Sequence, residues 1–166
     1  MKPIPKFLLA SILLVACKEP VQWVRLGAPF APEASPPGQA RVYVYWSPEG
    51  SPPGGAYGVT NDESYQPLLP GGFASFLVTP GTSHFKLQRL WDVELLSEDH
   101  PASASMNVSE ASQEVQAARV YFLRVRPRAG LLGRRPELAA IPSGVGEREV
   151  QGCRRVVWTW GDAIGR

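Results

Sequence analysis

The sequence is poor in the residues that most often carry catalytic chemistry. It has 2 Cys and 2 His among 166 residues, whereas zinc sites usually recruit three or four His, Cys or acidic ligands. It also lacks a Gly-x-Ser-x-Gly elbow, a phosphate-binding Gly-Lys-Ser/Thr loop and a Cys-x-x-Cys pair. His84 falls on the polar side of an alternating segment and His100 precedes Pro101, so both are expected in solvent. We therefore predict no metal site, no cofactor and no enzymatic activity.

An excess of charge of either sign is also missing from the predicted mature chain. The formal net charge is +2, from 17 basic and 15 acidic residues. Lys2 and Lys6 precede Cys17 and leave with a cleaved leader, so 15 basic residues remain against 15 acidic ones. A neutral chain has no global field to attract a polyanion, and we predict no nucleic-acid partner. Four acidic residues are interpreted as a solvated surface rather than as a general acid/base pair: Asp92, Glu94, Glu98 and Asp99.

The apolar run at the N-terminus, Phe7 to Val15, is too short to span a membrane as a mature helix, which needs roughly 20 residues. With lysines before it and Ala16 after it, the run has the order of a secretory leader. The segment Leu14-Val15-Ala16-Cys17 resembles the bacterial lipobox, in which the cysteine is acylated and the chain is cut before it. We predict a signal peptide at residues 1–16 and a membrane anchor at Cys17, stable once two or three acyl chains are attached.

Two interpretations of the cysteines stay open. If Cys17 is acylated, Cys153 is left unpaired, and the neighbouring Val150, Val156 and Val157 predict that it is buried. In an ordinary secreted protein the two cysteines could instead form a disulfide, provided that their Cα atoms approach within about 7 Å. Lys18 follows the cysteine in place of an aspartate, and by resemblance to enteric sorting rules this favours the outer membrane, facing the periplasm.

The chain has 17 Pro and 16 Gly, which predicts many turns, few long helices and an all-β class. Residues 40–160 are predicted to form a small antiparallel β-sandwich or partly open barrel, followed by a tail at 161–166. Predicted strands are Arg41–Trp46, Tyr57–Thr60, Phe73–Thr79, Ser83–Trp91, Ser105–Val108 and Val120–Val125. Val156–Trp160 fits either a last strand or an apolar tail that packs on the sheet. Pro80-Gly81 predicts a hairpin, and Ser143 is predicted to cap one short helix that runs to about Val150.

Residues 17–39 are rich in proline and show no period, which predicts a tether that holds the domain off the bilayer. Val21–Leu26 also fits a short edge strand, and both interpretations are kept.

Five arginines lie close together in the sequence: Arg124, Arg126, Arg128, Arg134 and Arg135. Arginine binds phosphate and carboxylate through paired hydrogen bonds. Two interpretations of this set stay open. The favoured one is that the arginines cover a sheet edge and protect it against aggregation. The other is that they contact lipid head groups, lipopolysaccharide or an acidic envelope protein.

Four segments occur in a recognisable order: ARVYVYW (40–46), PGGFASFLVTPGTSHFKL (70–87), ARVYFLRVRPRAG (118–130) and GRRPELAAIP (133–142). This order resembles an uncharacterised family of bacterial lipoprotein domains, a domain of unknown function akin to PEGA-type and transthyretin-like β-sandwich modules. The chain departs from that pattern in having Gln116-Ala117-Ala118 in place of a glycine, Tyr121-Phe122 in place of two tyrosines, and a Trp-rich end. The resemblance implies a β-sandwich and an envelope location, but no activity.

The sequence thus predicts a membrane-anchored lipoprotein of the bacterial envelope with a non-catalytic β-sandwich that acts as an interaction or structural domain. The alternative is an envelope enzyme or ligand-binding protein whose site has no recognisable motif. A pocket of buried, converging side chains around His84 or the acidic group would favour that alternative.

Overall fold

The computed structural model describes residues 21–48, 57–89, 107–130 and 133–161. These residues form ten strands and one helix: β1 Val21–Pro29, β2 Ala40–Trp46, β3 Tyr57–Thr60, β4 Tyr65–Leu68, β5 Gly72–Val78, β6 Gly81–Arg89, β7 Asn107–Val115, β8 Val120–Gly130, β9 Gly133–Ile141, α1 Ser143–Val150 and β10 Arg154–Gly161. A six-stranded sheet has the order β1-β10-β5-β2-β8-β9, and a four-stranded sheet has the order β4-β3-β6-β7. The predicted all-β sandwich with one short helix is confirmed, but the larger sheet is mixed rather than antiparallel, because β2 pairs parallel with β8 and β10 pairs parallel with β5.

The core lies between the two sheets and follows from the alternation of apolar residues along the strands. In β5, Ala74, Phe76 and Val78 are buried while Leu77 is exposed. In β6, Phe85 and Leu87 are buried in the same way, and the rings of Phe76 and Phe85 meet across the core at 5.5 Å between centroids. The two-residue period of both strands therefore places one alternating set of apolar side chains in the core and the intervening side chains on the opposite face of each sheet.

β5 and β6 do not form the hairpin that Pro80-Gly81 predicts. β5 pairs with β2 and β10 in the larger sheet, whereas β6 pairs with β3 and β7 in the smaller one. Gly81 has a φ of +130°, a conformation that favours glycine, and the chain crosses there from one sheet to the other. The crossing places the apolar faces of the two strands against each other, which is why both strands show the same alternation.

The predicted tether over residues 17–39 is corrected, because the described part of it, residues 21–39, belongs to the sandwich. β1 pairs antiparallel with β10, from Val21 opposite Gly161 to Pro29 opposite Arg154. The strand interpretation of Val21–Leu26 is thus confirmed, and the described part of the folded domain starts at Val21, ahead of the predicted Ala40.

Residues 30–39 then cross the outer face of the larger sheet, which is the face turned away from the smaller sheet. Phe30 packs edge-on against Tyr43 and Phe73, at 5.0 and 5.2 Å between ring centroids. Glu33 forms ion pairs with Arg41, at 2.6 Å, and with Arg155. These contacts fix the segment on the sheet and bury both faces of β2.

The helix occurs where the sequence predicts it, but Ser143 does not cap it. Pro142 is the N-cap residue, and the Ser143 hydroxyl donates to the carbonyl of Val120 at 3.4 Å. β7 is also longer than the predicted strand at Ser105–Val108. Its residues are mostly polar, as is usual for the edge strand of a sheet. The acidic residues at 92–99 and His100 lie outside the described residues.

Candidate functional site

A groove lies on the outer face of the larger sheet, between the last turn of α1, the middle of β8 and the residues that follow β2. Its volume is about 510 Å³. We call it the arginine groove, and it is lined by Ser47, Pro48, Arg124, Val125, Arg126, Pro127, Arg148, Glu149 and Gly152. Three arginines and one glutamate give this lining two more positive than negative charges.

The β-strand period brings the arginines of β8 to one face. Arg124, Arg126 and Arg128 are two residues apart, so their side chains leave the same side of the sheet. The antiparallel pairing with β9 sets Arg126 opposite Glu137 and Arg128 opposite Arg135. Opposite residues share a face, which adds Glu137 and Arg135 to this surface beside the groove.

Glu149 joins α1 to the sheet at the floor of the groove. Its carboxylate accepts two hydrogen bonds from Arg124 Nη1, at 2.7 and 2.9 Å, and one from the Tyr45 hydroxyl at 2.5 Å. Burial alone raises the pKa of Glu149. The hydrogen bonds from Tyr45 and Arg124, and the charges of Arg124 and Arg148, outweigh burial and hold this pKa below its usual range. Burial of the Tyr45 side chain, together with its hydrogen bond to Glu149, raises the pKa of Tyr45.

This carboxylate is therefore ionised and Tyr45 is neutral near pH 7, and both serve as partners of Arg124. Arg124 is thereby committed to holding α1 on the sheet. The groove arginines that remain for a ligand are Arg148 and Arg126, of which Arg126 is held only by an exposed ion pair with Glu137.

The remaining predicted arginines differ in their partners. Glu137 contacts both Arg126 and Arg128, each at 3.1 Å, and these side chains are 49% and 71% exposed. Such exposed ion pairs contribute little to stability, typically less than about 1 kcal/mol. Arg135 and Arg148 form no ion pair with any residue that the structure describes. The side chain of Arg134 lies outside the described part.

The structure thus brings Arg124 and Arg126 into a groove that sequence reasoning did not anticipate. Arg148 and Glu149 were missed because they are distant from the arginine set in sequence. Their signal was weak but present: both lie in the last turn of the predicted helix, which has to pack on some strand.

The structure tests one prediction for a cysteine, that Cys153 is buried, and one for a histidine, that His84 is in solvent. Cys153 is a free thiol, 1% exposed, whose sulfur donates to the carbonyl of Trp46 at 3.8 Å. Burial raises the pKa of this thiol to about 11, so it is protonated and unreactive at neutral pH. The predicted burial of Cys153 is confirmed. His84 is exposed, as predicted, and its Nδ1 lies 2.9 Å from the Ser112 hydroxyl.

Two kinds of feature are absent from the described ranges. No group of three or more His, Cys, Asp or Glu side chains is arranged to hold a metal ion. In the same part of the chain, no helix is both long and apolar enough to cross a membrane.

Comparison of the chain with family models, with curated proteins and with solved structures gave no match. The resemblance to a lipoprotein domain family therefore stays a prediction.

Proposed function

We propose that this chain is a lipid-anchored protein of the bacterial envelope whose β-sandwich binds an anionic partner rather than catalysing a reaction. The observation that carries the proposal is the order of a leader, a lipobox-like Leu14-Val15-Ala16-Cys17 and a folded domain whose first described strand starts at Val21. Cleavage before Cys17 leaves every described element intact, which is what processing of a lipoprotein requires. The expected location is the outer membrane, with the domain in the periplasm.

The geometry of β1 argues against the disulfide interpretation. The backbone N–H of Phe30 donates to the Cys153 carbonyl, so Cys153 lies beside the end of β1 that is remote from Val21. Eight residue steps of strand separate Val21 from Pro29, a distance of about 26 Å. Cys17 is four residues before Val21 and reaches at most about 14 Å from it. A disulfide needs Cα atoms within about 7 Å of each other, so Cys17 cannot reach Cys153 in this fold.

The arginine groove supports the binding role. Arg126 and Arg148 offer guanidinium donors at a concave surface with excess positive charge, and such donors suit the oxygens of phosphate and carboxylate groups. Glu149, the carboxylate in the groove lining, is held in the ion pair with Arg124, which favours binding over general acid/base chemistry there. We therefore assign the groove to recognition.

The experiment compares three full-length chains expressed in a Gram-negative bacterium: the wild type, Cys17→Ser, and Cys153→Ala as the matched control. We expect the wild type and the control to fractionate with membranes, to dissolve only with detergent and to carry the mass of acyl chains on Cys17. The Cys17→Ser chain should remain uncut or become soluble. An unacylated wild type in the soluble fraction would refute the anchor.

A further inference from the structure

We infer that one end of the pair of strands β1 and β10 rests on the bilayer that holds Cys17, and that the arginine groove points away from that bilayer. We call these two paired strands the ribbon, and its near end is formed by Val21 and Gly161. The inference rests on the proposed anchor, because it concerns where an acylated Cys17 would place the sandwich.

The length of chain between the anchor and the fold decides how far the domain can stand from the membrane. Only Lys18, Glu19 and Pro20 separate Cys17 from Val21. Four residue steps span at most about 14 Å when fully extended. The head-group layer on each side of a bilayer is itself roughly 5 to 8 Å thick. Val21 is therefore confined to the head groups or to the first few ångströms above them.

β1 cannot lengthen this connection by detaching from β10, because it is held in the sheet. Residues 21–26 each pair with a residue of β10, and Val24 and Leu26 pack against the core between the sheets. Since Val21 is opposite Gly161, the end of β10 is held at the same level as the start of β1. Both strands of the ribbon thus present their near end to the bilayer.

The composition of the near end agrees with a membrane contact. Of the 5 tryptophans in the chain, three occupy ribbon positions within four residues of this end: 23, 158 and 160. Tryptophan is enriched at membrane–water interfaces, because its ring is largely apolar and its N–H can reach polar head groups. The half-buried Trp158 stacks on Tyr65, at 6.2 Å between ring centroids, which ties the ribbon to the smaller sheet.

The arginine groove lies at the far end of the ribbon. Pro29 pairs with Arg154. The backbone N–H of Arg154 donates to the carbonyl of Gly71, and the backbone N–H of Gly71 donates to the carbonyl of Trp46. Trp46 precedes Ser47 and Pro48, and Gly152 comes two residues before Arg154, so three groove residues share this level. The level is about 26 Å along the strand from Val21. The anionic partner of the groove therefore approaches from the side away from the membrane, and is not a head group of the anchoring bilayer.

The test attaches the mature chain, residues 17–166, to vesicles through a maleimide lipid that reacts with the Cys17 thiol. Cys153 does not compete, because it is buried and burial raises the pKa of its thiol to about 11. The vesicles contain brominated phosphatidylcholine, which quenches tryptophan fluorescence at short range. The comparison chain carries about 16 inserted Gly and Ser residues between Pro20 and Val21, which add a mean reach of about 22 Å.

We expect quenching in the native chain and about a twofold or larger loss of quenching after the insertion, because the added reach of about 22 Å exceeds the head-group layer. Trp158→Phe should lower the quenchable fraction of the emission, whereas Trp46, which is 1% exposed, supplies an unquenched baseline. Equal quenching with the short and the long connection would overturn the near-end contact. Because the lipid is attached chemically, this result does not depend on whether cells acylate Cys17.

A second arm tests the direction of the groove. Anionic phosphatidylglycerol is added to the same vesicles, and the double variant Arg126→Gln/Arg148→Gln is compared with the native chain. We expect the same quenching from both chains, because the groove does not reach the head groups. A clear difference that appears only in the anionic vesicles would show that the groove binds its own bilayer and would overturn this part of the inference.

Discussion

At the scale of single residues, the arginines of the groove separate into two roles. Arg124 is held by both oxygens of Glu149, and its Nε is a buried donor without a partner, so it is a structural residue. Arg126 contacts Glu137 only at an exposed site, and Arg148 forms no ion pair with a described residue. The two arginines that are available to a ligand, one without an ion pair to a described residue and one in an exposed ion pair, are thus those whose loss should destabilise the fold least.

This division leads to a prediction for anion binding. Replacing Arg126 and Arg148 with glutamine should weaken binding of inorganic phosphate by about tenfold or more, because two charge-assisted donors are lost. The free energy of unfolding should change by no more than about 1 kcal/mol, since both sites are exposed. Phosphate titrations followed by NMR at constant ionic strength measure the first effect, and urea unfolding measures the second.

The matched control is Arg119→Gln, an exposed arginine in the turn before β8 that does not line the groove. It should leave phosphate binding unchanged. Equal binding by the double variant and the wild type, or no binding by either, would contradict the role assigned to the groove.

At the scale of secondary structure elements, α1 depends on packing rather than on its own helical propensity. It has eight residues, two of them glycine, and a helix of this length is marginal alone. Gly146 is buried against Phe122, and a Cβ at this position would lie 2.3 Å from Phe122 Cγ. Phe122 cannot easily move, because it is 2% exposed and stacks on Tyr43. The glycine therefore sets how closely α1 approaches the sheet, and so the width of the groove.

Two alanine substitutions in α1 should have opposite effects. Gly146→Ala should lower the free energy of unfolding by about 1 to 3 kcal/mol, because the overlap with Phe122 outweighs the better propensity of alanine. Gly144→Ala should raise it by up to about 1 kcal/mol, since a Cβ there meets nothing within 4 Å. Urea denaturation of both variants checks the pair. Stabilisation by both substitutions would mean that α1 does not pack on Phe122 as described.

The sequence predicts where the strands lie better than it predicts which strands pair with each other, because alternation is local and pairing is not. Alternation in β5 and β6 is a local property of the chain, so both strands and their buried faces could be predicted. Pairing of β1 with β10 joins the two ends of the domain, and no local pattern specifies it. Ala118 has a φ of +58° in the turn before β8, where no glycine marks the conformation. The groove depends on such distant pairings, so only its β8 arginines could be predicted.

At the scale of the whole molecule, the N-terminal segment completes the sandwich. β1 covers the edge of β10, and Phe30 covers Tyr43 and Phe73 on the outer face of the larger sheet. Glu33 supplies the carboxylate for Arg41, whose side chain is 9% exposed. The guanidinium of Arg41 also donates to the Ser75 hydroxyl and the Ala34 carbonyl. A buried arginine without its carboxylate is costly, about 3 to 5 kcal/mol in comparable cases.

Two truncated chains should therefore differ sharply, although both retain β2 to β10. A chain that begins at Val21 should fold fully, because it keeps every described element. A chain that begins at Ala40 loses Phe30 and leaves Arg41 without Glu33, and its free energy of unfolding should be lower by more than about 4 kcal/mol. Circular dichroism should show a strand-dominated spectrum for the longer chain, and urea unfolding gives the difference. Glu33→Gln in the longer chain isolates the ionic part and should account for about half of the loss. Equal stability of the two truncated chains would mean that residues 21–39 are a tether after all, and the short connection between anchor and domain would no longer hold.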